Sequence, residues 1–320
     1  MGMTSEPGEP KLDLEPGPTT PVARYKITGR GFFSEFNILV FAYAHCLAHG
    51  RALFVDIGGT AGPWRELFPH FLPSAKGLRR ADVTLDAKTS DGRWNEVWLA
   101  MRKEVRDACL EKRWVSVPSL QFEGPFDELV FLAARRLFRP HASLVAWASA
   151  ARQAMGLDEV PYSAVQLRRG DKVHGYRSPK GEWVVETEIA PFALYVECLQ
   201  KLAPDIRDVF VLSDDYEAFA EARAQYPDYR FHTLCEPHER GYFHGAQQSA
   251  PDDVKLENLR KLLVTVMIAS GSLAFAGTYL SNLSIGVHLL HHRRSGCACI
   301  ENSRPWPALE PLFMPGRDQI

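Results

Sequence analysis

The 320-residue chain lacks an excess of charge of either sign. Its 37 Lys and Arg residues nearly balance its 39 Asp and Glu residues, which gives a formal net charge of −2. Nucleic acids and anionic bilayers are usually held by a broad positive field, and this composition does not provide one. We therefore expect no nucleic acid partner, and we expect any bound anion to be held by a local cluster of cations.

Long apolar runs are also missing. The most apolar stretch, LLVTVMIASGSLAFAG at 262–277, is shorter than the roughly 20 residues that span a bilayer. The first residues, MGMTSEPGEPKLDLEPGPTTP, do not form a secretory signal, and their Pro, Gly and acid content predicts a disordered leader over residues 1–24. We expect no stable membrane insertion and a cytoplasmic location; the Golgi lumen is the alternative if an anchor lies outside this sequence.

Clustered cysteines and glycine-rich nucleotide loops are absent as well. The 6 cysteines are scattered, which is typical of reduced thiols. No GxGxxG follows a strand and no Walker lysine loop occurs, which disfavours nicotinamide and P-loop chemistry. His288, His291 and His292 do not combine with Cys297 and Cys299 in a zinc-ligand spacing, so we predict no metal site and interpret these histidines as a solvated helix end.

Short apolar runs alternate with helical patterns along the chain. Helical spacing over 34–48 lies between a glycine turn and the apolar strand 52–57. In the second half, strands are predicted at 163–168, 208–213, 229–234, 272–277 and 297–302, with helices at 192–202, 215–225, 252–270 and 281–292. This alternation predicts doubly wound α/β structure with parallel strands, and a domain boundary near 155–161.

Three of these strands end in polar clusters: QLRRGDK, VLSDD and GTYLSN. The carboxyl ends of strands in an open α/β sheet converge on one crevice. Arg168 and Arg169 are able to bind phosphate in a bidentate manner, and Ser281 and Asn282 begin a helix whose backbone N–H groups favour an anion. The predicted ligand is therefore a phosphate or diphosphate.

The same clusters resemble the motifs of a known superfamily. QLRRGDK, FVLSDDYEAFAEARAQYPDYRF and GTYLSNLS are similar to the three ordered motifs of the α-1,6-fucosyltransferase and protein O-fucosyltransferase superfamily. The stretch GRGFFSEFNILVFAYAHCLAHGRALFVD resembles its opening turn, helix and strand, so the resemblance covers roughly residues 25–300.

This resemblance implies a GT-B architecture, in which two Rossmann-like α/β domains face a cleft. Residues 25–157 would form the acceptor-side domain and residues 158–320 the nucleotide-sugar-binding domain. The superfamily transfers fucose from GDP-fucose to a hydroxyl, with inversion and generally without a metal. The implied partners are thus a nucleotide sugar and a glycan or glycoconjugate acceptor, with no cofactor beyond the donor.

The resemblance also implies roles for individual residues. Arg168 would neutralise charge on the departing β-phosphate, where negative charge grows in the transition state. Asp171 would orient the arginines or contact the sugar, and Asp214 belongs to the second motif. Asp171 and Asp214 are the candidate general bases, and His174 lies close by in sequence. The residues expected to line the donor are Gly29, Gly31, Gln166, Arg169, Asp215, Thr265, Thr278, Ser281 and Asn282.

Two departures from the superfamily pattern leave the base specificity open. Gln166 replaces a usual His that contacts guanine, and Thr265 replaces an Asp that often reads the N–H edge of guanine. The alternatives are a non-catalytic nucleotide- or glycan-binding homologue, or a transferase that uses another nucleotide sugar. A purely structural ion network around Arg168 and a helix N-cap role for Asp215 also remain open.

The sequence indicates least about which residues contact the acceptor. The segment 174–188 directly follows the arginine motif and is rich in Gly, Pro and charge. We expect it to close over the donor or shape the acceptor site, or else to be an ordinary surface loop. The tryptophans at positions 64, 94, 98 and 114 are expected mostly in the core, with one or two available to stack on a sugar.

Overall fold

The computed structural model describes residues 21–27, 31–56, 83–85, 95–177, 182–185, 188–301 and 304–305. Its helices are α1 (Phe32–Ala48), α2 (Glu96–Leu110), α3 (Phe126–Leu137), α4 (Ala142–Ala154), α5 (Asp171–His174), α6 (Phe192–Leu202), α7 (Tyr216–Gln225), α8 (His244–Ser249), α9 (Asp252–Ser270) and α10 (Asn282–Leu290). Its strands are β1 (Val22–Lys26), β2 (Ala52–Asp56), β3 (Val83–Thr84), β4 (Trp114–Val117), β5 (Phe122–Pro125), β6 (Ser163–Leu167), β7 (Tyr176–Arg177), β8 (Trp183–Val184), β9 (Asp208–Ser213), β10 (Arg230–His232), β11 (Ala274–Gly277), β12 (Cys297–Cys299) and β13 (Arg304–Pro305).

The first half of the chain contains a three-stranded parallel sheet in the order β2-β1-β3. Residues 22–24, which the sequence assigned to the leader, belong to β1, and residues 1–20 lie outside the described residues. The apolar stripe of α1 packs against this sheet, with Phe36 and Leu39 fully buried. Strands β4 and β5 form a separate antiparallel hairpin.

The second half contains a six-stranded sheet in the order β10-β9-β6-β11-β12-β13. The first five strands are parallel, and β13 pairs antiparallel at the edge. Chain order reverses between β6 and β11, because the chain runs outward from β6 to β10 and then returns to the other side of β6. Ligands of open α/β sheets bind beside such a reversal, outside the carboxyl ends of the strands.

Helices cover both faces of this sheet, as expected for a doubly wound fold. Side chains alternate along each strand, so Val165 and Val211 face α6 and α7, whereas Ala164 and Phe210 face the opposite core. That opposite core also contains Leu263 of α9. The predicted parallel α/β structure is confirmed in both halves.

One apolar core runs through the two halves. It combines residues of α1 with Phe275 of β11 and Ile285 of α10. The Asn37 side chain of α1 also donates to the Asn282 carbonyl at 2.9 Å. The helix of the first half is therefore anchored on the helix that begins at the third polar cluster. Among the described helices, none has both the length and the apolar character of a membrane-spanning segment.

The interpretation of the late histidines as a solvated helix end is wrong for two of the three. His288 and His291 are buried, and the His288 ring lies edge-on to Phe131 with centroids 5.2 Å apart. His288 lies on the buried face of α10, and His291 is the buried C-cap that directly follows the helix. All six cysteines are buried free thiols, as expected from their scatter.

Candidate active site

Three strand ends bring the predicted polar clusters to one edge of the six-stranded sheet. Leu167 at the end of β6 lies beside Ser213 at the end of β9, and Val165 lies beside Ala276 of β11. Arg168, Asp214 and Thr278 directly follow these strands. The three motifs thus meet at the edge of the sheet beside the strand reversal, where the sequence predicts a binding crevice.

Arg168 lies between two carboxylates at the carboxyl end of β6. Its guanidinium donates to Asp171 Oδ1 at 2.8 Å and to Asp214 Oδ2 at 3.4 Å. Its Cζ lies 5.7 Å from the centroid of the Tyr242 ring, and its side chain is 18% exposed. The ion network that the sequence left as an alternative is therefore present, and the Arg168 side chain keeps part of its surface exposed.

Asp214 joins three turns of the chain. Its Oδ1 accepts from the Arg169 N–H and its Oδ2 from the Tyr242 N–H, both at 2.9 Å. Its backbone carbonyl accepts from the Gly241 N–H at 2.7 Å. A buried amide left unpaired costs about 1–3 kcal/mol, so this carboxylate stabilises the shape of the arginine turn.

The turn at 239–242 was not identified from the sequence, yet it closes the site. Gly170 and Gly241 have φ of +70° and +95°, and they lie against each other. A Cβ at Gly170 would lie 2.3 Å from the Tyr242 carbonyl oxygen. The Asp171 N–H donates to that same oxygen at 3.0 Å. The glycines in RGD and RGYF were the available signal, because close backbone contact at positive φ favours this residue.

The other acids of this region divide into two roles. Asp171 begins α5 and is buried, whereas Asp215 is the N-cap of α7 and accepts from the Glu217 N–H at 2.9 Å. The N-cap interpretation of Asp215 is confirmed. Burial raises the pKa of Tyr242, and the charge of Asp171 adds to this while Arg168 opposes it. At neutral pH a neutral phenol therefore lies beside the guanidinium.

Arg169 points towards α7, away from the carboxylates that hold Arg168. Its guanidinium lies 3.8 Å from the Glu221 carboxylate, and its side chain is 13% exposed. The two adjacent arginines thus have different partners, as expected for neighbours leaving a strand.

On the other side of the reversal, Gln166 and Thr278 form buried hydrogen bonds within the protein. Ser284 of α10 donates to Gln166 Oε1 at 2.8 Å and accepts from the Thr278 N–H at 3.3 Å. The Thr278 hydroxyl donates to Glu301, which the sequence analysis did not identify. A Cβ at Gly277 would lie 2.6 Å from the Ser284 hydroxyl, so this glycine permits the link between β6 and α10.

The N-terminus of α10 lies beside this link. Ser281 is the N-cap and its side chain makes no capping hydrogen bond, while Asn282 is the first helical residue. Ser281 is buried and Leu280 before it is 39% exposed. The first turn of a helix offers backbone N–H groups and a positive dipole end to an anion.

The remaining residues that the sequence predicts to bind the sugar donor are Thr265, Gly31 and Gly29. The Thr265 hydroxyl donates to the Lys261 carbonyl of its own helix at 2.7 Å. Gly31 is the N-cap of α1 with φ of −54°, and a Cβ there would meet nothing within 4 Å. Gly29 lies outside the described residues. Phe33, the next position of the opening turn, packs on Gly286 of α10, where a Cβ would lie 2.3 Å from its ring.

Comparison with known proteins gives structural likenesses only. No family model matches the chain, and no curated protein matches it. It is similar to a point mutant of Arabidopsis thaliana FUT1 in complex with GDP, at 14% identity and a TM-score of 0.49, over 86% of this chain and 69% of that chain. It is also similar to POFUT1 in complex with GDP, at 14% identity and a TM-score of 0.44, over 88% of this chain and 98% of that chain. A third similar structure is POFUT1 in complex with GDP-fucose, at 13% identity and a TM-score of 0.42, over 87% of this chain and 97% of that chain. At these TM-scores the likenesses assign no role to any residue of this chain.

Proposed function

We propose that this protein is an inverting glycosyltransferase that transfers fucose from GDP-fucose to a hydroxyl of a glycan or glycosylated acceptor. The donor diphosphate would lie between Arg168 and the N-terminus of α10. One observation carries the proposal. The Arg168 guanidinium and the positive dipole end of α10 lie on either side of the strand reversal, and the Gln166–Ser284 hydrogen bond links β6 to α10. A two-domain GT-B arrangement, with residues 25–157 on the acceptor side, is part of the proposal.

Arg168 is suited to the leaving group. A guanidinium has five N–H donors, and the contacts with Asp171 and Asp214 use two of them. The acceptor hydroxyl attacks the anomeric carbon as the bond to the β-phosphate oxygen breaks. Negative charge then grows on that oxygen, where a positioned guanidinium lowers the barrier.

Asp214 is assigned a positioning role instead of the role of general base. Both of its oxygens already accept backbone N–H groups, and Arg168 adds a third donor. A base needs a free lone pair directed at the acceptor hydroxyl. Asp171 and the exposed His174, whose ring stacks on Phe243 with centroids 6.3 Å apart, remain the candidates for the base.

A non-catalytic nucleotide-binding homologue is the second candidate function. It is favoured by the placement of Gln166, whose Oε1 is occupied by Ser284 inside the protein, and of Thr265, whose hydroxyl is bound to its own helix. Gln166 Oε1 and the Thr265 hydroxyl therefore already have partners within the protein. Such a protein would bind a nucleotide or a glycan without transferring sugar.

A thermal-shift panel of GDP, UDP and ADP tests the donor class, because a ligand that binds only the folded state raises the melting midpoint. We expect GDP to raise the midpoint most. A larger shift with UDP or ADP would mean that the donor carries that nucleotide instead of GDP. No shift with any of the three would overturn the proposal. A GDP-fucose hydrolysis assay then separates a transferase from a binding homologue.

Arg168→Ala tests the catalytic role. We expect kcat to fall by about 10²–10³, the cost of removing one transition-state donor. Arg230→Ala is the matched control, since Arg230 donates to the buried Asp208 at the opposite end of the same sheet. The control should keep its kcat, and Arg168→Lys provides a second variant if Arg168→Ala unfolds. Wild-type turnover in folded Arg168→Ala would remove Arg168 from the mechanism.

A further inference from the structure

A cluster of two histidines and a glutamate lies at the far end of α1. His45 and His49 are one helical turn apart and so share one face of α1, and Glu104 of α2 lies opposite them. The Glu104 carboxylate is 3.1 Å from His49 Nε2 and 3.7 Å from His45 Nδ1. One ligand atom from each of the three residues lies within 4.8 Å of the others.

His45 has a ring nitrogen that the protein does not satisfy. Its side chain is only 9% exposed, and Nδ1 is buried without a hydrogen-bond partner in the part of the chain that the structure describes. Most buried side-chain polar atoms are hydrogen-bonded, because an unpaired one costs about 1–3 kcal/mol. An atom that binds Nδ1 from the direction of Glu104 would remove this cost.

His49 has the orientation of a metal ligand. Its Nδ1 lies 2.8 Å from the His45 carbonyl oxygen, so Nδ1 carries the proton and donates. That bond leaves the Nε2 lone pair facing Glu104. Metal-binding histidines usually donate their second ring N–H to a carbonyl or carboxylate in this way, which fixes the tautomer.

The distances fit a small transition metal ion. Bonds of about 2.0–2.1 Å to histidine nitrogen and carboxylate oxygen place tetrahedral ligands roughly 3.3 Å apart. The separation of His49 Nε2 from Glu104 Oε1 is 3.1 Å and that of His45 Nδ1 from Glu104 Oε2 is 3.7 Å, so each carboxylate oxygen lies near this spacing from one of the two histidines.

The surroundings leave room for a fourth ligand. The cluster lines a pocket of about 240 Å³ together with Arg51, Leu85 and Met101. Arg51 in this pocket and Arg113, 4.0 Å from Glu104, add positive charge and should weaken cation binding. Three protein ligands and an open position distinguish this site from a closed four-ligand structural zinc site.

We propose that His45, His49 and Glu104 form a site for Zn²⁺ or a similar divalent transition metal ion, with water as the fourth ligand. The ion joins α1 to α2. At a rise of about 1.5 Å per residue, the site is roughly 12–18 Å along α1 from Asn37, which contacts α10. The site is therefore separate from the proposed donor crevice and acts on the stability of the first half of the chain.

Titration of the metal-free protein with Co²⁺, followed by displacement with Zn²⁺, tests this site. We expect the visible absorption of four-coordinate cobalt with wild-type protein. His49→Ala and Glu104→Gln should weaken binding by more than about tenfold, since losing even an outer partner of a metal site costs that much. His49 and Glu104 are 38% and 40% exposed, so both variants should fold.

The matched control is His238→Ala. His238 is an exposed histidine 3.4 Å from Glu236, which gives a single His–Glu pair without a second histidine. The control should bind Co²⁺ like the wild type, and Zn²⁺ should raise the melting midpoint of both but not of His49→Ala. Absence of cobalt binding by wild-type protein, or binding that survives both His49→Ala and Glu104→Gln, would overturn the proposal. A transferase assay is not needed for either result.

Discussion

Gly170 and Gly241 lie against each other where the arginine turn after β6 meets the turn before α8. Both have positive φ, and each backbone occupies the place that a side chain on the other would need. The two residues that hold Arg168 depend on this contact. The Asp171 N–H donates to the Tyr242 carbonyl, and the Asp214 carboxylate accepts from the Tyr242 N–H. The position of the Arg168 guanidinium therefore depends on two glycines that have no functional side chain.

Gly170→Ala should destabilise the fold by about 2–4 kcal/mol, because it combines strain at positive φ with a backbone clash. Turnover should fall with it, since the Arg168 turn has to move. Chemical denaturation and a transfer assay measure the two effects. Gly245→Ala is the control, because a Cβ there meets nothing within 4 Å. Equal stability of the two variants would show that the turn tolerates a side chain.

At the scale of elements, the hairpin of β7 and β8 lies beside the arginine turn. Trp183 in β8 is 64% exposed, and its ring lies against Gly175, where a Cβ would be 2.6 Å from the indole nitrogen. Gly175 directly follows α5, which begins with Asp171. An exposed aromatic ring next to a site of charge is a surface on which a sugar ring is able to stack. Under the proposed function, we expect this ring to contact the acceptor.

Trp183→Ala should raise the KM for the acceptor several-fold while leaving GDP affinity unchanged. The ring contributes apolar stacking area to the acceptor and makes no contact with the proposed phosphate position. Trp114→Ala is the matched control, because Trp114 is 67% exposed in the other hairpin. A rise in KM with Trp114→Ala but not with Trp183→Ala would exclude Trp183 from the acceptor site.

The sequence predicts regular elements well and turns poorly. The bounds of α6, α9 and β9 agree with the prediction, because apolar periodicity and flanking turn residues define them locally. The 239–242 turn, the Gln166–Ser284 link and the Glu301 contact were missed. Each joins residues distant in the chain, and a single sequence carries no signal for such pairs.

Among the four tryptophans singled out in the sequence, Trp98 is buried and Trp114 is exposed, whereas positions 64 and 94 lie outside the described residues. Trp183, whose ring lies against Gly175, is in the segment whose role the sequence left open. Helical spacing explains Trp98, whose neighbours on α2 are apolar at the same period. An exposed ring has no such pattern, so its place becomes clear only from the structure.

At the scale of the whole molecule, the two halves share one core that contains neutral histidines. Burial, with the charge of His291, lowers the pKa of His288 to about 3, and burial lowers the pKa of His291 to about 4, against an ordinary value of 6.5. As pH falls below 6.5, these two histidines bind protons in the unfolded chain but stay neutral in the folded chain. Stability is therefore highest above pH 6.5 and decreases as pH falls towards 4.

His288→Leu should flatten this pH dependence, because it removes one buried histidine. We expect the loss of unfolding free energy between about pH 6.5 and pH 5 to shrink by about 2 kcal/mol, from 1.36 kcal/mol per pKa unit. Denaturant titrations at both pH values measure it. His292→Leu is the control, since it removes an exposed histidine from the same segment. A slope unchanged by His288→Leu would mean that the folded core does not lower the pKa of His288.

The most direct test of the central claim is calorimetric titration of GDP into wild-type protein, Arg168→Ala and Arg230→Ala. We predict one GDP per wild-type chain, affinity about tenfold or more weaker in Arg168→Ala from the loss of a charge-assisted contact, and unchanged affinity in Arg230→Ala. Absence of GDP binding by wild-type protein, or equal affinity in wild type and folded Arg168→Ala, would contradict a diphosphate site between Arg168 and α10.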